Sequence, residues 1–208
     1  MRKLTIENSQ LRIIILVSFF ILSIVHFQFS IPVYASENDI GYSKINPASP
    51  FYFLKTIRED LELKFAGTLR VTQLRHLEFA TRRLREVRTI VSIKPDLIPP
   101  TLEKYIAQLN AIPEREIQDM EVSTRIKDSL VIHLEVLQQI YDQASNLRAK
   151  MAIRLTMNRI ILRTDVPNYA KLPVCTFFAK EASSSALNQT EQFVLKQRAE
   201  KCFAEVKS

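Results

Sequence analysis

Two cysteines, two histidines beyond the N-terminal region and one crowded run of carboxylates are the groups in this chain whose types and spacing could do chemistry. Cys175 and Cys202 each fall on an apolar helical stripe, on either side of a serine-rich turn. An even cysteine count in an exported chain fits one disulfide stapling a helical hairpin, and a reversal through Ser183 to Leu187 would bring the two stripes together. Two free buried thiols are the other reading of the same pair. His76 and His133 have no His, Cys, Asp or Glu three or four residues away, so neither starts a metal-ligand cluster on its own helix. His133 stands at an apolar heptad position and reads as a hydrogen-bonded histidine at a helix interface. Arg58, Glu59, Asp60 and Glu62 crowd charge near one helix, but dividing acid from base work needs carboxylates in opposed environments. There is no Gly-x-Ser-x-Gly, Ser-x-x-Lys or His-Glu-x-x-His motif, and Ser183, Ser184 and Ser185 read as a loop. The expectation is therefore no enzyme, no metal and no cofactor.

Helices must position these groups. With only two glycines, Gly41 and Gly67, the chain has almost no material for tight β-turns or phosphate-cradling loops, which predicts an all-α helical bundle. A composition 47% hydrophobic and 25% charged argues against disorder and supports a real core. Ser49 is placed to cap a first helix, with Pro50 in its first turn and Gly67 closing it. Tyr52, Leu54, Ile57, Leu61 and Phe65 recur at helical spacing and read as its buried stripe. A second helix is expected over Thr68 to Ser92, with Leu74, Leu77, Ala80, Leu84, Val87 and Val91 inward. Glu78, Arg82 and Glu86 then pair along a solvated outer face, so the arginine-rich TRRLREVR reads as surface and not as a nucleic-acid element.

Pro95, Pro99 and Pro100 suggest a stiff connector before a short helix over TLEKYIAQLN. Residues 117–163 lack proline and glycine. Ile126, Leu130, His133, Leu137, Ile140, Ala144, Leu147 and Met151 form a heptad run, which Leu155, Asn158 and Leu162 continue after a stutter. A continuous helix of that span would reach roughly 70 Å, so a break is expected at Ala144-Ser145-Asn146. Beyond Pro167, Cys175, Phe178, Ala179 and Ala182 share one face, and Leu195, Ala199, Cys202 and Val206 another. Asn188 and Glu191 have capping-box spacing, a better reading than the N-glycosylation pattern Asn188 also opens.

Residues 1–35 read as an export signal. Arg2, Lys3 and Arg12 precede the apolar run IIILVSFFILSIV, and Val33-Tyr34-Ala35 suits cleavage after Ala35. The apolar character reaches Tyr34, long enough to act as an uncleaved membrane anchor instead. Either way the remainder is expected outside the cytoplasm. Residues 36–46 read as a linker, 47–165 as a helical domain and 168–208 as the cysteine-bearing hairpin. Taking three basic and one acidic residue of the signal from 29 and 22 leaves +5, ordinary for solubility and compatible with weak attraction to anionic polymers.

The opening stretch PASPFYFLKTIRE resembles an uncharacterised bacterial family, a domain of unknown function found in exported or membrane-anchored proteins. The resemblance rests on Pro47, Ser49, Tyr52, Leu54, Lys55 and Glu59, and on a later element matched by Arg83, Leu84 and Glu86. It covers residues 45–91 well, extends toward residue 150, and leaves the cysteine-bearing tail outside. What it implies is a helical extracytoplasmic domain with no catalytic residues to carry over. On the residues themselves, Lys55 and Glu59 are spaced to pair, and Tyr52 can pack its ring with its hydroxyl in water.

The function expected is a structural or interaction role in the bacterial cell envelope, without catalysis. An extracytoplasmic sensor or chaperone-like binder is the alternative, and an enzyme with a site assembled from distant residues is a third. The partner is an unidentified protein or envelope component, or a second copy through the heptad run over residues 126–151. Nucleic acid is not expected, and membrane contact only through an uncleaved N-terminal segment.

Overall fold

The computed structural model describes residues 40–114 and 119–207; the signal or anchor expected over residues 1–35 lies outside them. Among the described residues there are seven α-helices and no strand. In chain order they are α1 (Tyr52–Lys64), α2 (Leu69–Ile90), α3 (Ile98–Asn110), α4 (Met120–Gln143), α5 (Leu147–Ile161), α6 (Asn168–Ala182) and α7 (Gln189–Lys207), with a 3-10 turn over Pro95–Leu97 before α3. Local chemistry sets most of the boundaries. The side chain of Thr68 accepts from the Val71 amide to start α2, and Asp119 accepts from the Glu121 and Val122 amides to start α4. Asn188 and Glu191 make the reciprocal capping box of α7, at 2.9 and 3.2 Å. Pro99 and Pro100, expected in a connector, instead occupy the first turn of α3, where a missing N–H costs nothing.

The expected break after α4 is present. Ala144 turns extended, and Asn146 caps α5 through the amides of Arg148 and Ala149. Past this break the heptad stripe is wrong. Leu147, Met151, Leu155 and Leu162 are exposed, while Ala149, Ile153, Met157, Ile160 and Ile161 are buried. The three-residue break at 144–146 resets the helical phase, so α5 presents a different face from the one a continuous helix would have shown.

One apolar core runs through the described residues, from Ile40 and Leu84 on through Tyr105, Leu137 and Ile153 to Phe178, Leu195 and Cys202. Residues 47–165 and 168–208 thus share that core. The stretch expected as a linker is held against α2 from Ile40 onward: Ile40 is buried and its carbonyl accepts from the Arg85 Nε–H, and the Ser43 amide donates to Thr89 Oγ1 at 2.9 Å. At the far end of α3, buried Arg163 donates to the Leu109 and Ile112 carbonyls, at 2.9 and 3.3 Å, and to both oxygens of Asp165. It satisfies one carbonyl in the last turn of α3, where no intrahelical N–H is left, and one just beyond the helix.

His133 is wholly inside. Its Nε2 lies 2.9 Å from Thr81 Oγ1 and its Nδ1 3.1 Å from the Tyr105 hydroxyl, which ties α4 to α2 and α3. Burial, with Arg85 adding to it, pushes the imidazole pKa down to about 3, so it is the neutral ring that packs here. His76 meets Gln108 Oε1 at 2.8 Å, far from any metal-ligand arrangement. Among the described residues no group of three or more His, Cys, Asp or Glu could hold a metal ion.

Candidate functional site: a buried charged clasp beneath the first helix

The first helix packs the opposite way round from its hydrophobic pattern. Leu54, Ile57, Leu61 and Phe65, expected as a buried stripe, are exposed, Ile57 at 52% and Phe65 at 70%. Phe51 and Phe53 are exposed with them. The residues facing the protein are Tyr52, Lys55 and Glu59, spaced three and four apart on the other side of the same helix. Ser49 is also displaced from its expected role. Phe51 is the residue before the helix, and Ser49 sits in the preceding turn, accepting from the Phe51 amide at 3.3 Å through its hydroxyl and from the Tyr52 amide at 3.1 Å through its carbonyl.

The reason lies on α2, which is buried on two sides. Leu77, Ala80, Leu84, Val87 and Val91 enter the main core as expected, and a second stripe of Phe79, Arg83, Glu86 and Ile90 is equally buried. The middle of that second stripe is charged. The solvated face expected for Arg82 and Glu86 therefore holds only in part: Glu78 pairs with Arg82 at 2.5 Å, but Glu86 has no exposure at all. A helix docking over Arg83 and Glu86 must bring complementary charge, and α1 brings it with Lys55 and Glu59 while turning its apolar side away.

The pairing is dense. Glu86 accepts from Lys55 Nζ at 2.6 Å, from Arg83 Nη1 at 2.7 and 2.8 Å, and from the Tyr52 hydroxyl at 3.0 Å. Arg83 also donates to the Tyr52 hydroxyl and to Glu59 Oε2. Arg82 reaches Glu59 and Glu62, each at 3.4 Å. Lys55 and Glu59, expected to pair with each other, pair across to α2 instead, and the Tyr52 hydroxyl is bonded to Glu86 and Arg83. Lys55 additionally donates to the Ile45 carbonyl at 3.2 Å and to Ser43 Oγ at 3.3 Å, which fastens the incoming chain to the same cluster.

Electrostatics follow from burial. Desolvation lowers the Lys55 ammonium from its ordinary pKa, although Glu86 pulls the other way. Burial and then the Glu86 charge raise the Tyr52 phenol. Burial alone would raise Glu78, but Arg82 and Arg75 outweigh it and hold the carboxyl below its ordinary range. The Tyr52 ring is flanked by cations as well, with the Arg83 guanidinium 5.6 Å and the Lys104 ammonium 5.0 Å from its centroid.

The motif residues thus separate by location. Tyr52, Lys55, Glu59, Arg83 and Glu86 converge in the clasp; Leu84 points into the main core; Pro47 and Ser49 shape the turn before α1; and Leu54 is exposed beside it. Arg82 belongs to the clasp and was not among the expected residues. Its signal in the sequence is the same four-residue spacing to Glu78 and Glu86 that suggested a surface. The arrangement fastens two helices, and both oxygens of Glu86 and of Glu59 are taken by donors within it.

Cys175 and Cys202 are bonded to each other, with Cα atoms 5.5 Å apart, and join α6 to α7. Both are buried in the apolar core that also holds Phe178, Leu195 and Ala199. The Tyr141 hydroxyl donates to Glu181 and so links α4 to the end of α6. No curated protein and no solved structure matches the chain. Residues 44–146, which carry both halves of the clasp and the helices α1 to α4, are similar to the family described as a domain of unknown function (DUF5667).

Proposed function

We propose that this chain is a non-enzymatic, exported helical protein with a structural or interaction role in a cell envelope, and that it works through α1. The observation that carries the reading is the orientation of that helix: its charged side is consumed in fastening and its apolar side faces solvent. A catalytic carboxylate needs a lone pair free for substrate, and both oxygens of Glu86 already accept from Lys55, Arg83 and Tyr52. An apolar helix face held outward by a rigid charged back is instead the form of a contact surface. Export is supported by the N-terminal sequence and fits the disulfide.

The same exposed side chains also favour a chaperone-like binder over a purely structural part. They run along one helix, however, with only a shallow depression of about 330 Å³ beside them, lined by Ile45, Leu54, Lys55 and Arg58. Crosslinking and pull-down with the full chain in its own cell envelope tests the proposal. Wild type should capture an envelope component that Ile57→Glu/Leu61→Glu loses. Turnover of any compound in a metabolite screen of the full chain would overturn it.

A further inference from the structure

We propose that the outward face of α1 rests on a lipid bilayer, the one reached by the apolar run that precedes the folded unit. The inference rests on the reading of α1 as a contact surface and names its occupant. Three observations point to lipid. The face is rich in phenylalanine and aliphatic side chains, with Phe51, Phe53, Leu54, Ile57, Leu61 and Phe65 exposed along four turns. That is the composition of a helix lying in the plane of a membrane interface.

The second observation is covalent. The apolar run ends at Tyr34 and Ile40 is already buried against α2, so only residues 35–39 separate the two in the sequence. Six residue steps at about 3.4 Å each give a maximum span of roughly 20 Å. A run retained in the bilayer would therefore hold the folded unit almost on the surface. The third is placement. The chain that leaves Ile40 passes the exposed Tyr42 and Ile45, and Ile45 borders the same depression as Leu54 and Arg58 of α1. Ile45, five residues past Ile40, thus lies beside the apolar face. Arg58 and Lys64 of α1 are exposed alongside the apolar residues, where cationic side chains meet anionic headgroups, although Arg58 also pairs with Glu62 at 2.9 Å and Asp60 is exposed on the same helix.

A single apolar helix face gives marginal membrane affinity, and stable attachment takes two signals. Here the N-terminal run supplies one and α1 the other. The polar back of α1 cannot roll into the bilayer, because Lys55 and Glu59 are locked to Glu86 and Arg83.

The test uses the full chain carrying Ile57→Cys, labelled with an environment-sensitive fluorophore while the native disulfide stays closed. It is reconstituted in vesicles of three parts phosphatidylcholine to one part phosphatidylglycerol, with and without spin-labelled lipid. Glu135→Cys, exposed on α4, is the reference site, and Leu61→Cys repeats the measurement on the same face. Quenching by spin-labelled lipid at least 2-fold stronger at 57 and 61 than at 135 is expected. Equal quenching at all three sites overturns the proposal. A blue-shifted probe at 57 that lipid does not quench overturns it too, because protein then covers the face. So does native protein recovered in soluble form beginning at Ser36. These three outcomes leave the contact-surface reading standing, whereas turnover in the screen above removes the reading itself.

Discussion

Replacing Glu86 by glutamine keeps the side chain's shape and removes the charge on which three donors converge. Glu86 is fully buried, and its closest partners, Arg83 and Lys55, have only 4% and 10% of their side chains exposed. Breaking a buried ion pair by neutralising one partner costs roughly 3–5 kcal/mol, because the remaining charge stays out of water. The low end applies here. Arg83 keeps Glu59, and Lys55 keeps the Ile45 carbonyl and Ser43 Oγ. A loss of about 3 kcal/mol in urea denaturation of Glu86→Gln is expected. Because the apolar side of α1 is already in water, releasing this helix uncovers little new apolar area, so the opening is local. Amide exchange over residues 52–64 should accelerate about 100-fold, since about 1.4 kcal/mol corresponds to a factor of ten. Lys55→Met should cost less in the Glu86→Gln background than in wild type, by about 1–3 kcal/mol, as expected of residues in direct contact. A cost below about 0.5 kcal/mol together with no coupling would refute the clasp, since that is how solvated surface charges behave.

Three further outcomes test the rest of the fold. His133 titrates near the ordinary 6.5 when unfolded and at about 3 when folded, so the unfolded chain binds the extra proton between those values and stability falls as pH drops through that window. Going from pH 7 to pH 5 should cost about 2 kcal/mol through this group, and the dependence should largely disappear in His133→Gln, measured by urea midpoints. Reducing the Cys175–Cys202 bond should remove at most about 3.5 kcal/mol, by the chain-entropy rule for a 27-residue separation. Exchange should then rise in α7, while α6 stays docked through Val174, Phe178 and the Tyr141–Glu181 bond; simultaneous loss of protection in α2 to α5 would contradict this. Gly67 has φ +68°, and a Cβ there would meet only the Phe65 carbonyl oxygen at 3.9 Å, so Gly67→Ala should cost about 1–2 kcal/mol from backbone conformation alone, read by thermal melting.

The sequence by itself determined the elements and their ends. Scarce glycine fixed an all-α chain, and proline, Gly67 and the Asn188–Glu191 box act through local sterics and hydrogen bonds that need no distant partner. The break at Ala144-Ser145-Asn146 was legible for the same reason, and so was the cysteine pairing, because a hairpin of two adjacent helices leaves few ways to meet. Tertiary structure decided which side of α1 faces inward. Leu54, Ile57, Leu61 and Phe65 make one helical stripe, and Tyr52, Lys55 and Glu59 make the opposite one, so periodicity identifies both and ranks neither. Hydrophobicity ranked them wrongly, because the surface awaiting α1 is not apolar. Arg83 and Glu86 lie on a second buried side of α2, and a helix can satisfy them only by presenting opposite charge. Which side of α2 meets the main core and which meets α1 is set by packing between helices and not by periodicity. Likewise the phase of α5 after the turn was set by how the core closes over Ile153 and Met157, a non-local condition that no window of neighbouring residues contains.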